Sequence, residues 1–205
     1  ARLWAHHKEY ESNIHRVDYF SCVLPEEYSL VKENSFFKAK QVQFTYGCPE
    51  TENPRLVTSK GDNILVGHSG DTTNNHIDVY EKLSKLHIGN RKVYSFLGYG
   101  GDKYYLDCVI VAGKRLLGEN FVPLTNFLSK AEFNVVIAAC GHVIMFHERQ
   151  QALGNINQAI KSSCKVFLSD TGVVYNSYRP YGIKVFSVQK ELNEQNLTEN
   201  LSKEE

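Results

Sequence analysis

The 205-residue sequence has little of several things that would announce a function. Neither sign of charge dominates, because 23 Lys+Arg face 23 Asp+Glu. A general polyanion binder carries a basic excess, so nucleic acid is not an expected partner, although a single phosphate-sized pocket fits the balance. No apolar run reaches the roughly 18–20 residues that a membrane-spanning helix takes, and no signal-peptide pattern opens the chain. The chain starts at Ala1 rather than Met, which reads as a processed start or a piece of something longer. Cysteine is sparse and odd in number: Cys22, Cys48, Cys108, Cys140 and Cys164, with no C-x-x-C pair. That pattern reads as reduced thiols in a cytosolic protein, not a disulfide framework or a zinc site. The histidines show no ligand spacing, and His142 and His147 would point to opposite faces of a strand. No metal and no cofactor are therefore expected. Neither G-x-G-x-x-G nor G-x-x-x-x-G-K-[ST] occurs, so the dinucleotide fingerprint and the P-loop are both missing.

What is present is an alternation that begins at Asn63. "NILVGHS" reads as a buried strand, and Ile77, Tyr80, Leu83 and Leu86 then fall on one helical face. "RKVYSFLGYGG" gives a strand and a glycine turn, and Asp102 can cap a helix that buries Tyr105, Val109, Ala112 and Leu116 and stops at Gly118. "NFVPL" is a short strand, with Thr125 a candidate cap for the segment behind it. "NFLSKAEFNVVIAAC" suits strand or helix and is assigned helix, since the strand "HVIMFHE" follows at once. "QALGNINQAIKSS" places Leu153, Ile156 and Ile160 on one helical face, and "KVFLSD" and "GIKVFSV" close as strands before a polar tail from Lys190. Such β-α repeats imply a Rossmann-like parallel sheet with helices on both faces, an α/β fold. Right-handed crossovers place the strand-to-helix loops on one edge, where ligands bind. Gly67–Asn75, Gly98–Lys103 and His147–Asn155 are those loops. Residues 1–59 differ: "YFSCVL", "EEYSLVKENSFF" and "KQVQFTYG" make one strand-helix-strand unit, and "CPETENPRLVTSKGD" reads as a linker.

Two readings compete for Gly67-His68-Ser69-Gly70-Asp71. A hydrolase elbow wants G-x-S-x-G, with acid and histidine following in that order; the best completion is Ser69 with Asp102 or Asp107 and His147, with no evident oxyanion loop. The other reading is an anion cradle. Gly67 and Gly70 would shape the loop, and Ser69, Thr72, Thr73, Asn74 and Asn75 are small polar groups at a helix start. The glycine turn around Tyr99 serves equally as a tight turn or as a substrate contact. Farther on, Arg149 offers paired donors matched to phosphate oxygens, with Gln150, Gln151, Gly154 and Asn155 at a second helix start. An exposed Arg and two Gln on a solvated turn is the plainer alternative. Asn196-Leu197-Thr198 matches a glycosylation acceptor but reads here as polar tail.

Three stretches, "ILVGHSGDTTNNHI", "LGYGGDKYYLDCVIVAG" and "FHERQQALGNINQAI", resemble the C-terminal half of glycosyltransferase family 56. These are bacterial TDP-N-acetylfucosamine:lipid II N-acetylfucosaminyltransferases of enterobacterial common antigen synthesis. The match runs from about Asn63 to Val188, and residues 1–59 resemble the end of that family's N-terminal domain only loosely. The resemblance implies the C-terminal domain of a two-domain GT-B enzyme. Residues 1–59 would be the end of a truncated acceptor domain plus linker, 60–190 the nucleotide-sugar donor domain and 191–205 a polar tail. It implies a TDP-sugar donor, a lipid-linked saccharide acceptor, and a place at the cytoplasmic face of the bacterial inner membrane. By analogy with GT-B enzymes, a glycine-led helix start at Gly154 holds the diphosphate, and Gln158 stands where an acid would hold the ribose. The expected substrate-binding set is Gly67, Ser69, Gly70, Asn74, Tyr99, Arg149, Gln150, Gln151, Gly154, Asn155 and Gln158, with Ser69 facing the donor. Against the family pattern His68 replaces an asparagine, Gly100 stands near an expected proline and Ala152 replaces a glycine. The catalytic base would come from the missing half, so this chain is expected to bind nucleotide without turnover. A sugar-nucleotide epimerase of like architecture and a non-catalytic nucleotide-binding module stay open as alternatives.

Overall fold

The structure, a computed structural model, describes residues 13–33, 37–44, 61–199 and 201. The chain divides into two compact units, Ala1–Pro49 and Glu50–Glu205. In the first, strand β1 (Tyr19–Phe20) runs parallel to β2 (Lys40–Gln41), with helix α1 (Pro25–Lys32) between them. Pro25 opens α1, where its missing N–H costs nothing, and the Glu27 carboxylate accepts the Leu24 N–H at 3.0 Å. A small core of Ile14, Phe37 and Ala39, with Phe20, Tyr28 and Val31 against it, holds this unit. The linker read over Cys48–Asp62 lies almost wholly outside the described residues.

The second unit is built on six parallel strands in the order β5-β4-β3-β6-β7-β8. These are β3 (Asn63–Val66), β4 (Val93–Phe96), β5 (Phe121–Leu124), β6 (Cys140–Met145), β7 (Lys165–Leu168) and β8 (Phe186–Ser187). The chain adds β4 and β5 on one side of β3, then returns and lays β6 on the other side. That reversal makes the doubly wound arrangement, in which the loops after β3 and β6 diverge and leave a crevice at the carboxyl edge. Ile64, Leu65 and Val66 are fully buried, as are Val143, Ile144 and Met145, because both faces of the sheet are covered. Lys165 is the exception within an otherwise apolar β7. Its stem is buried while Nζ reaches the Asn196 carbonyl at 3.3 Å and the face of the Phe186 ring.

Helices α2 (His76–Leu83) and α3 (Lys103–Leu117) cover one face, packing Val79, Tyr80, Leu83, Val109, Ala112 and Leu117 with Ile64, Val66 and Phe167. Each such valine, leucine, isoleucine or phenylalanine contributes about 1.5–3 kcal/mol on burial. Helices α4 (Lys130–Ala138) and α5 (Leu153–Lys161) pack on β6 and β7. The ambiguous "FNVVIA" run is thus helical, and its cap is Ser129, not Thr125. Ser129 Oγ accepts the Glu132 N–H at 3.3 Å and the Glu132 carboxylate accepts the Ser129 N–H at 2.8 Å. Asp102 caps α3 as expected, accepting the Tyr105 N–H at 2.9 Å.

Two segments depart from the sequence reading. Helix α6 (Val173–Tyr178) was not anticipated; it is short and its polar residues conceal a buried face of Val174, Ser177 and Tyr178. The residues after Lys190 are not a loose polar tail as far as residue 199. Helix α7 (Glu194–Thr198) is capped by Asn193 and buries Leu197, while Leu192 and Leu201 pack against the same core. The Glu194 carboxylate accepts the His87 N–H at 2.9 Å, which ties α7 to the turn after α2. Three leucines hidden among Asn, Glu and Gln were too few to give a period.

Candidate functional site

The loops after β3, β4 and β6 meet at the carboxyl edge. The loop after β3 is organised by Asn74, which is fully buried. Its Oδ1 accepts the His68 N–H at 3.3 Å and lies 2.8 Å from His68 Nδ1. Its amide donates to the Ser69 carbonyl at 3.1 Å, to Ser69 Oγ at 3.2 Å and to the Asp71 carbonyl at 3.1 Å. A carboxamide oxygen only accepts, so His68 carries its proton on Nδ1 and presents Nε2 to Ser69 Oγ, 3.4 Å away. Serine, histidine and asparagine thus stand in the order of nucleophile, base and orienter. Ser69, however, is only 2% exposed and its oxygen already takes the Asn74 amide. Asp102 is spent on the α3 cap and Asp107 on Lys103 at 2.6 Å. The hydrolase reading therefore lacks a reachable nucleophile and a free acid. Ser69 and Asn74, both in the expected substrate-binding set, are buried and hold the loop from inside.

Gly70 and the Tyr99 turn show why glycine recurs here. Gly70 donates its N–H to the Tyr99 carbonyl at 2.8 Å, and a Cβ on Gly101, itself at φ +74°, would lie 2.1 Å from the Gly70 carbonyl oxygen. The two loops touch backbone to backbone, which a side chain would forbid. Gly67 turns the chain at φ +70° beneath the buried His76 ring. Tyr99 remains 48% exposed and belongs to a row of rings across the edge. Its neighbours are Phe127 at 6.1 Å on one side and His68 at 6.4 Å on the other, with His147 another 6.1 Å beyond. Phe127 lies in the loop after β5, a strand expected from "NFVPL" whose following loop was not among the three expected at the ligand edge.

The loop after β6 brings the charge. Arg149 lies with its guanidinium 4.0 Å from the Asp71 carboxylate, both side chains about half exposed. Thr73 Oγ1 sits between Asp71 Oδ1 at 2.5 Å and Gln151 Oε1 at 3.0 Å, joining the β3 and β6 loops. The Asn75 amide adds a bond to the Phe146 carbonyl at 2.7 Å. Hydrogen bonds from the Thr73 hydroxyl and N–H hold the Asp71 carboxyl below its ordinary range. Burial presses His147 down to about 4, with His68 nearby adding to the effect, and burial lowers His68 as well. Both rings are neutral at pH 7. His147 Nδ1 lies 3.0 Å from the Arg149 carbonyl, which fixes its proton there and shapes the turn. The Glu148 carboxylate, taking hydroxyls of Ser169 at 2.7 Å and Thr171 at 2.8 Å, anchors the turn from behind.

Helix α5 begins at Leu153 with Ala152 as N-cap, at φ 58° and without a side-chain cap. Ala152 accordingly occupies a left-handed position that glycine suits better. No side chain caps the first α5 N–H groups, at Leu153, Gly154 and Asn155. A Cβ on Gly154 would meet nothing within 4 Å, so no protein atom requires glycine there. Gln150 and Asn155 are half-buried beside it, and Gln151 is buried with its amide nitrogen lacking a protein partner. Gln158 lies one turn on, its amide donating to Ser162 Oγ at 3.3 Å. Arg149, Gly154, Asn155 and Tyr99 thus share the crevice edge, Gln150 flanks it, and Gln158 faces down its own helix. Among the described residues, no group of three His, Cys, Asp or Glu could hold a metal ion, and no helix is long and apolar enough to cross a membrane.

Strand order, crevice and helix start together define a Rossmann-like domain of the kind found in glycosyltransferases. A glycosyltransferase from Rickettsia africae ESF-5 superposes with a TM-score of 0.64 at 13% identity, covering 93% of this chain and 54% of that one. The pneumococcal O-GlcNAc transferase GtfA, in complex with UDP and GlcNAc, gives 0.61 at 10% identity, covering 94% of this chain and 38% of that one. The chain therefore spans about half or less of the length of these proteins. Residues 32–203 match the model of the 4-alpha-L-fucosyltransferase family, glycosyl transferase group 56, and the chain belongs to that family.

Proposed function

We propose that this chain is the donor-binding half of a glycosyltransferase that moves a deoxyamino sugar, such as N-acetylfucosamine, from a TDP-sugar to a lipid-linked saccharide. Residues 1–59 would close the acceptor domain, and the domain from residue 60 would hold the nucleotide sugar. One observation carries this reading: Arg149, the uncapped start of α5 and the open face of Gly154 lie together where the strand order reverses. Backbone N–H groups at a helix start and a guanidinium are the donors a diphosphate calls for. The complex of the pneumococcal relative in fold with UDP and GlcNAc supports the same donor class.

Charge builds on the diphosphate as the glycosidic bond breaks. Arg149 and the N–H groups of Gly154 and Asn155 would stabilise it without a metal, and one well-placed donor of this kind is typically worth ~10²–10³ in rate. Tyr99 would offer its half-exposed ring to the base or the sugar. Ser69 and Asn74 act one step back, holding the loop that carries Asp71 and Thr73. The base that deprotonates the acceptor belongs to the other half, so the chain alone binds without turnover. The work would take place at the cytoplasmic face of the inner membrane, in assembly of a cell-surface polysaccharide of the enterobacterial common antigen type. The test is transfer by the full-length protein from a TDP-linked deoxyamino sugar to a lipid-linked saccharide. Transfer with release of TDP is the expected result. An isomerised sugar nucleotide would mean an epimerase, and binding without either product would mean a non-catalytic module.

A further inference from the structure

We propose that Asp71 sets the affinity of this site for free nucleoside diphosphate, competing with the diphosphate for the Arg149 guanidinium and so easing release of the nucleotide product. The inference rests on the donor-site reading above. Its ground is the way the carboxylate is held. Oδ1 accepts the Thr73 N–H at 2.9 Å and the Thr73 hydroxyl at 2.5 Å, which fixes the group as the cap of the short turn Thr72–Asn74. That leaves Oδ2 directed at Arg149 Nη2 and unable to swing away without breaking the cap. At 4.0 Å the contact is too long for a hydrogen bond, so the guanidinium keeps its N–H groups for another partner. A phosphate oxygen about 2.8 Å from Nη2 would lie within about 7 Å of Oδ2, inside the screening length at physiological salt. The same fixed charge therefore attracts Arg149 when the site is free and repels the phosphates when it is filled.

A transferase must let go of a product that carries more charge than the donor it came from. Asp71 acts most strongly on that product, because the diphosphate freed of its sugar bears the additional negative charge.

Asp71→Asn tests this, because asparagine caps as well as aspartate does and keeps an oxygen for Thr73. Calorimetric titration of the chain and of D71N with TDP, UDP, thymidine and inorganic pyrophosphate is the experiment. D71N should bind TDP, UDP and pyrophosphate about three- to tenfold tighter, with a gain that shrinks in high salt, and thymidine unchanged. Asp71→Ser, also a good cap and also neutral, should behave alike and covers the case in which D71N does not fold. Equal or weaker diphosphate binding by a folded variant overturns the inference, as does an equal gain for thymidine. Binding by the parent chain without a gain in the variants refutes this inference alone, whereas binding of no nucleotide by any of them refutes the donor-site reading and this with it.

Discussion

Gly154→Ala should push stability and binding in opposite directions. Gly154 is the second residue of α5, exposed, with no atom within 4 Å of the place a Cβ would take. Glycine is unfavourable in a helix relative to alanine by roughly 0.5–1 kcal/mol, so the substitution should stabilise the free protein by up to that amount. In a domain of this size that is a rise of about 2–4 °C in Tm for each 1 kcal/mol. The same methyl group would stand in front of the uncapped N–H groups that the proposed function assigns to the diphosphate. Losing one charge-assisted hydrogen bond costs about 1.5–3 kcal/mol, or roughly ten- to a hundredfold in Kd. Gly70 and Gly101 make the contrast, since a Cβ at either would come within 3 Å of a carbonyl oxygen and should simply destabilise. Thermal melting without ligand and calorimetry with TDP read the two effects separately. A G154A protein that melts higher and binds as tightly as the parent would refute a ligand approaching this backbone.

Ala152→Gly should stabilise the chain by about 0.5–1 kcal/mol, as relief of the left-handed position at φ 58° exceeds the added freedom of the unfolded chain; urea unfolding measures it. Leu197→Ala should cost about 2–5 kcal/mol, since its side chain is fully buried from a helix whose sequence reads as tail; a change under 0.5 kcal/mol in the same assay would return α7 to the solvent. Stability should fall with acid. His76, His142 and His147 are each pushed down to about 4 by burial, so the folded chain keeps them neutral while the unfolded chain takes up protons below about 6.5. Their contribution is whole above 6.5 and is lost as pH falls toward 4, with a slope of up to about 1.4 kcal/mol per pH unit for each proton. Between pH 6.5 and 4 the His142→Gln protein should show a slope shallower by up to one such proton in pH-dependent urea unfolding.

The parts of this molecule that were legible in the sequence are those set by local pattern. Ile64-Leu65-Val66 and Val143-Ile144-Met145 read as strands buried on both faces, and the glycines after β3 and β4 marked turns, which the structure shows to be places where backbones meet. Arg149 and Gly154 stood out as candidates because a guanidinium and a side-chain-free helix start suit one chemistry, and the structure puts both after β6 at the carboxyl edge. The inside of the β3 loop was not legible. Ser69 and Asn74 are polar and sit at a helix start, and polarity argues for exposure. Only the folded loop shows that their groups satisfy one another and the His68 ring. The Thr73–Gln151 bridge joins residues 78 apart, and Asp71 faces Arg149 across the same gap. No local pattern encodes such a pairing, because it exists only once β6 has been laid beside β3. The cap at Ser129 shows a lesser limit, for Thr125 and Ser129 both precede the helix and only Ser129 has a glutamate three residues on.

The most direct test of the central claim is calorimetric titration of the chain with TDP, UDP and NAD, repeated on Arg149→Ala. The account predicts millimolar or tighter binding of TDP, weakened at least tenfold by the substitution, which is about 1.4 kcal/mol or more at Arg149. TDP binding that is the same with and without the guanidinium would contradict it.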